Sequence, residues 1–182
     1  GQRFGLVPIN AYKAYWAGGM TLPLNAPEKQ GNYKEEMVKM FASWSPKIKE
    51  VIALTPSETI KYIEVFDHNP SNVWYKKNVC LLGDAAHAAL PTSGQGACQA
   101  IEDAWQLANC LATEERVETA FKSFTALRFN KTTNIIMAGR NLATSLFNTD
   151  ANYCKQRNAQ AKQTDYKNAS QGIAQLWGST LL

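Results

Sequence analysis

The chain has 182 residues, 45% of them hydrophobic and 19% charged, a balance that can bury a core and excludes a disordered polymer. Its net charge of +4 comes from scattered Lys and Arg, not from the clustered basic face of a nucleic-acid binder or a polybasic membrane patch. No run reaches the ~18 to 20 apolar residues of a membrane span and no signal-peptide pattern opens the sequence, so a cytoplasmic protein is expected.

Residues 2 to 19 read as a hairpin, with Arg3 to Ile9 and Tyr12 to Ala17 on either side of a turn near Asn10. Aromatic and β-branched residues favour a pleated surface. Thr21 to Gln30, with Pro23 and Pro27, reads as a loop. Asn32 then caps a helix in capping-box spacing with Glu35, and Met37, Met40, Phe41 and Trp44 recur at helical intervals to give it an apolar face. Pro46 opens a second short helix at the position where its missing N–H is harmless. The alternation from Thr59 to Phe66 predicts a strand, and Asp67-His68-Asn69-Pro70 a turn leading towards Trp74.

The stretch from Asn78 to Leu111 is the centre of the chain. Val79 to Leu82 has the content of a buried strand and stops at Gly83-Asp84. A turn-rich segment with Pro91, Ser93, Gly94 and Gly96 follows, after which Ala97, Ile101, Ala104, Ala108 and Leu111 recur along one helical face. Strand, loop and helix in that order place two glycines at a helix start, where backbone N–H groups lack partners and the macrodipole is positive. Such a start attracts anionic or electron-rich groups. Arg116 to about Phe147 predicts a long helix with a broad apolar face, at which Gly139 permits a kink or a break. Tyr153 to Ser170 is a surface helix or a loosely held tail, and Ile173, Leu176 and Trp177 pin the end to the body or to a partner subunit, which leaves a homodimer open. Cys80, Cys98, Cys110 and Cys154 are widely spaced and sit at no ligand spacing from His68 or His87, so free thiols and no metal are expected.

The segment GDAAHAALPTSGQGACQAIEDA resembles the second flavin-contacting motif of the FAD-dependent aromatic-ring hydroxylases, or group A flavoprotein monooxygenases, a family that includes p-hydroxybenzoate hydroxylase, salicylate hydroxylase and zeaxanthin epoxidase. The spacing G-D-A-A-H, three residues, P, two residues, G-Q-G, five residues, E-D is met at every fixed position. The opening G-x-R-F-G-x-x-P followed by Tyr15-Trp16, the run from Phe41 through Trp44 to Pro46, and Asp67 to Pro70 followed by Trp74 are similar to the same family.

The resemblance implies the C-terminal part of a Rossmann-like FAD/NAD(P)-binding flavoprotein of α+β or α/β class. Residues 1–75 would be part of a substrate-binding sheet domain with two short helices, residues 76–112 the C-terminal part of the FAD-binding domain, and residues 113–182 a helical region. It implies that Gly83 and Asp84 hold the ribityl chain of FAD, that Pro91, Gly94, Gln95 and Gly96 form a flavin-facing loop, and that the backbone amides of Ala97 and Cys98 meet the N1–C2=O edge of the ring. Phe4, Trp16, Pro91 and Thr92 would face a small-molecule aromatic or alkene substrate. For Phe4, Tyr15 and Trp16, cross-strand packing in a half-buried sheet is the alternative. His87 is expected to be a structural hydrogen-bonding residue, not a base, and Glu102-Asp103 a structural pair, since adjacent residues on a helix do not face each other. No catalytic side chain is assigned.

The activity implied is a monooxygenase that takes hydride from NAD(P)H and, through a C4a-hydroperoxyflavin, hydroxylates or epoxidises an electron-rich substrate. The alternatives are a reductase, dehydrogenase or halogenase on the same scaffold, or a non-catalytic piece without FAD. No strand is followed by G-x-G-x-x-G, the fingerprint that holds the ADP half of FAD, and the sequence begins at Gly1 without Met. The N-terminal half of the same protein is therefore expected upstream, and the chain by itself is expected to be inactive and to bind FAD weakly.

Overall fold

In the computed structural model, which describes residues 1–23 and 31–178, strands β1 (Gln2–Pro8) and β2 (Ala14–Met20) form the expected antiparallel hairpin. The register sets Phe4 opposite Gly18 and Leu6 opposite Trp16, so Phe4 and Trp16 are diagonal neighbours on one face and their rings stack at 5.2 Å. Gly18 is required there. A Cβ would lie 2.8 Å from Phe41 Cε2, and Phe41, fully buried, meets Phe4 edge-on at 5.2 Å and Trp44 at 5.0 Å.

Helices α1 (Tyr33–Met40) and α2 (Pro46–Leu54) begin where local chemistry says they should. The Asn32 carboxamide accepts from the Lys34 N–H at 3.1 Å and donates to Glu35 at 3.2 Å. The Lys34 ammonium crosses to the end of α2 and donates to the carbonyls of Ala53 and Thr55 at 2.7 and 2.8 Å, a cation at the negative pole of a helix. Of the loop expected over Thr21 to Gln30, residues 24–30 lie outside the described residues.

The strand expected over Thr59 to Phe66 does not form. A single 3-10 turn spans Ser57–Thr59, and the residues after it join no ladder among the described residues. Alternation makes a segment able to pair, but a strand exists only where a neighbour takes its backbone groups. Tyr62 stacks on Tyr33 at 5.9 Å instead.

Strands β3 (Tyr75–Lys76) and β4 (Val79–Cys80) form a short hairpin, so the strand expected over Val79 to Leu82 is shorter than its apolar run. Then come α3 (Asp84–His87), α4 (Gly96–Thr113), α5 (Val117–Leu146), α6 (Ala151–Gln163) and α7 (Tyr166–Gly178). Gly139 does not interrupt α5, and α6 and α7 carry the described chain to Gly178. The core gathers Trp74, Ala86, Cys110, Ala120 and Phe124. Compactness divides the chain into residues 1–64 and 65–182, which keeps α4 and α5 together.

The apolar residues that recur along α4 face outward. Ile101 is 72% exposed and Leu111 45%, whereas Gln99, Glu102, Asp103 and Cys110 are buried. The buried face is the polar one, where Glu102 and Asp103 meet the Arg128 and Lys131 cations of α5. No helix among the described residues is long and apolar enough to cross a membrane.

Candidate functional site

The chain leaves β4 with the Leu81 N–H bonded to the Trp74 carbonyl at 2.7 Å and turns at Gly83. That residue has φ +56, and a Cβ on it would lie 3.1 Å from the Cβ of Ala100, so both conformation and close approach call for glycine. Gly83 accepts from the N–H groups of Ala86 and His87 at 3.0 and 2.9 Å, which winds the single turn α3 and puts Asp84 at its exposed start.

A 3-10 turn over Pro91–Ser93 follows and ends at Gly94, φ 67, whose N–H returns to the Pro91 carbonyl at 3.1 Å. The left-handed conformation is one that glycine adopts without a steric penalty. Gln95 then opens α4, and among the described residues no side chain caps that end. Its first three helical residues are Gly96, Ala97 and Cys98, with Ala97 and Cys98 exposed. The Asp84 carboxylate stands beside this opening, 3.7 Å from where a Cβ on Gly96 would be. The expected cofactor residues Gly83, Asp84, Pro91, Gly94, Gln95, Gly96, Ala97 and Cys98 thus lie on one continuous turn, loop and helix start. Gln95 differs from its neighbours in being buried, where its side-chain carbonyl accepts from Gln99 at 3.3 Å. The donor set fits a group with acceptor atoms on one edge and hydroxyls nearby: free helix-terminal amides answer the first, a carboxylate the second.

Behind the opening lies a buried ionic cluster. Asp103, fully buried, accepts from the Gly83 N–H at 2.7 Å, shares a 2.6 Å hydrogen bond with His87 Nε2, and accepts from Arg128 Nε at 2.7 Å. Glu102 pairs with the Arg128 guanidinium and accepts from Lys131 Nζ at 2.8 Å. Lys131 also donates to the Trp177 carbonyl of α7 at 2.6 Å. His87 is therefore held as a structural residue, packed on Trp74 at 5.3 Å, and Glu102-Asp103 ties α4 to α5 as expected. Burial acts to raise the Asp103 carboxyl, but hydrogen bonds from His87, the Gly83 N–H and Arg128 outweigh it and hold the group below its ordinary value of 3.8.

Two further anchors from α5 could not be read in advance. Thr92 Oγ1 donates to the Gly139 carbonyl at 2.9 Å. Arg140 grips Asp67 through two bonds of 2.6 and 3.0 Å and also reaches Asn69 at 3.0 Å, while the His68 N–H donates to Ala88 at 3.1 Å. Sequence offers only a cation and an acid some seventy residues apart, which is no signal. In the first unit, Phe4 and Trp16 are half-buried and occupied with each other, and Trp16 Nε1 donates to Thr55 at 2.9 Å. The cross-strand packing that was the alternative reading of these rings is present.

A family model described as "FAD binding domain" matches residues 2–136. The aurachin C monooxygenase/isomerase of Stigmatella aurantiaca is 35% identical over 136 residues, covering 75% of this chain and 35% of that protein. An FAD-dependent urate hydroxylase of Klebsiella pneumoniae subsp. pneumoniae is 29% identical over 140 residues, covering 77% of this chain and 36% of the hydroxylase. The crystal structure of Klebsiella pneumoniae HpxO complexed with FAD and uric acid has the same fold, with a TM-score of 0.87 at 24% identity over 97% of this chain and 45% of that one. The chain spans about a third of the length of these curated relatives.

Proposed function

We propose, since this chain belongs to the FAD binding domain family, that it forms the flavin-ring and ribityl side of the active site of an FAD-dependent monooxygenase using NAD(P)H and O2. The observation that carries the reading is the uncapped start of α4 with the Asp84 carboxylate beside it. FAD, when bound, supplies the redox chemistry that accepts hydride and activates O2. The protein's own part is binding and orientation. Asp84 accepts hydrogen bonds from ribityl hydroxyls. The amides of Ala97 and Cys98 donate to the electron-rich edge of the ring, where fixed dipoles favour the form that carries more negative charge. Gly94 and Gly96 keep side chains out of the ring plane, and Pro91 and Thr92 line the adjacent substrate side. In the first unit, the half-buried Phe4–Trp16 stack offers an aromatic surface to a flat substrate.

The substrate class is an electron-rich aromatic or alkene small molecule, in keeping with relatives named for urate and aurachin C. The ADP half of FAD is held by the N-terminal half of the same protein, as the missing dinucleotide fingerprint and the third of relatives' length both suggest. Ile101 and Trp105, 72% and 62% exposed on α4, fit a face covered by that half. A chain with four free thiols suits a reducing, cytoplasmic setting.

The test uses the full-length protein that carries this chain. Oxidation of NAD(P)H should consume O2 in step with it and transfer one atom from labelled O2 to product. Oxidation that proceeds unchanged without O2, yielding no oxygenated product, would sink the reading.

A further inference from the structure

We infer that Asp103 is a positioning residue for the cofactor: it clamps both ends of the turn that carries Asp84 and so aims that carboxylate at the mouth of α4. The inference rests on the proposed function and goes beyond it. Asp84 itself is exposed and forms no hydrogen bond among the described residues, so its backbone sets the direction of the Cα–Cβ bond from which the carboxylate reaches the opening. That backbone is the four-residue helix α3, too short to hold itself, preceded by a glycine at φ +56. Asp103 takes the residue before Asp84 through the Gly83 N–H at 2.7 Å and the last residue of the turn through His87 Nε2 at 2.6 Å.

The arrangement does more than pair charges. Among the described residues, Glu102 and Asp103 meet the cations Arg128 and Lys131. Only one of the three described hydrogen bonds of Asp103 goes to either cation, Arg128 Nε at 2.7 Å. The other two go to the turn. Because α4 carries both Asp103 and the amide-lined opening, the carboxylate fixes Asp84 in the frame of the very helix whose start receives the ring. Two contacts of a long cofactor are thereby held at one separation, which is preorganisation.

The experiment is a double-mutant cycle on FAD affinity, measured by flavin fluorescence as FAD is added to the full-length apoprotein. Asp84→Asn and Asp103→Asn should each weaken binding by about tenfold or more, the scale of a hydrogen bond to a charged group. If Asp103 acts through Asp84, the double variant should bind within about twofold of Asp84→Asn alone. Multiplying losses would mean that Asp103 is merely structural, and would overturn the inference. Should Asp103→Asn fail to fold, His87→Phe removes one clamp while keeping a ring against Trp74; its expected several-fold loss must likewise vanish in the Asp84→Asn background, and a persisting loss overturns the inference. Unchanged affinity in Asp84→Asn also overturns it, and the ribityl role given to Asp84 with it, while leaving the oxygenase reading to its own test, whereas a wild-type protein that does not bind FAD overturns both.

Discussion

The Thr92 hydroxyl donates to the Gly139 carbonyl at 2.9 Å, tying the loop between α3 and α4 to the last third of the thirty-residue helix α5. That carbonyl already belongs to a helix ladder, so it gains a second donor, and the side that depends on the bond is the loop. Thr92→Val, nearly the same shape, should cost about 0.5 to 1.5 kcal/mol. The telling measurement is amide exchange at Gly94, whose N–H bonds Pro91 across the same turn. It should exchange faster in the variant, while amides in the centre of α4 keep their protection. Equal exchange would mean that the loop holds itself.

The hairpin contains a second close fit, between Gly18 and Phe41. A Cβ at position 18 would sit 2.8 Å from Phe41 Cε2 and 3.3 Å from Met37 Sδ. The ring cannot retreat, since it is fully buried between Phe4 and Trp44. Gly18→Ala should therefore destabilise by about 1 to 3 kcal/mol through overpacking. Adding Phe41→Leu should make the alanine better tolerated than it is beside phenylalanine, a non-additivity readable from denaturant midpoints. Additive losses would show that backbone conformation, not space, reserves the position for glycine.

The depressed carboxyl of Asp103 gives a prediction with a definite sign. Its folded value lies below the ordinary 3.8, so in acid the unfolded chain binds the proton first. The stabilisation is complete above about 3.8 and is lost as pH falls through the folded value. Unfolding free energy should decline over that acid window. Asp103→Asn, less stable throughout, should show a shallower decline by as much as one proton. An acid limb of unchanged slope would show that this carboxyl titrates alike in both states.

These residues also show how far a sequence can be read. Asn32, Pro46 and the spacing from Gly83 to Asp103 were legible because caps and tight turns are decided by residues a few positions apart. The strand from Thr59 to Phe66 was misread because its existence depends on a partner that no local pattern reveals. The partners of Glu102 and Asp103 were out of reach for a related reason. Spacing marked the two acids as a structural pair, but the cations that they meet, Arg128 and Lys131, come from 25 and 29 residues downstream. A pair of acids on a helix said that cations were needed; it did not say where they would come from.

The thiols report on the opening of α4 without any substrate. Cys98 is exposed in its first turn, Cys110 is buried, and Cys80 and Cys154 are half-buried. Burial, and then the Asp103 charge, pushes the Cys80 thiol up from 9.0; burial, and then Glu114, does the same to Cys110. At about pH 8, where the thiolate fraction and access set the rate, Ellman's reagent should modify Cys98 first and should reach Cys80 and Cys110 only as the chain unfolds. In the full-length protein, saturating FAD should slow the Cys98 reaction by about tenfold or more, because a ring seated on the neighbouring amides covers the thiol's approach. Labelling of Cys98 at the same rate with and without bound FAD would place the ring away from this helix start.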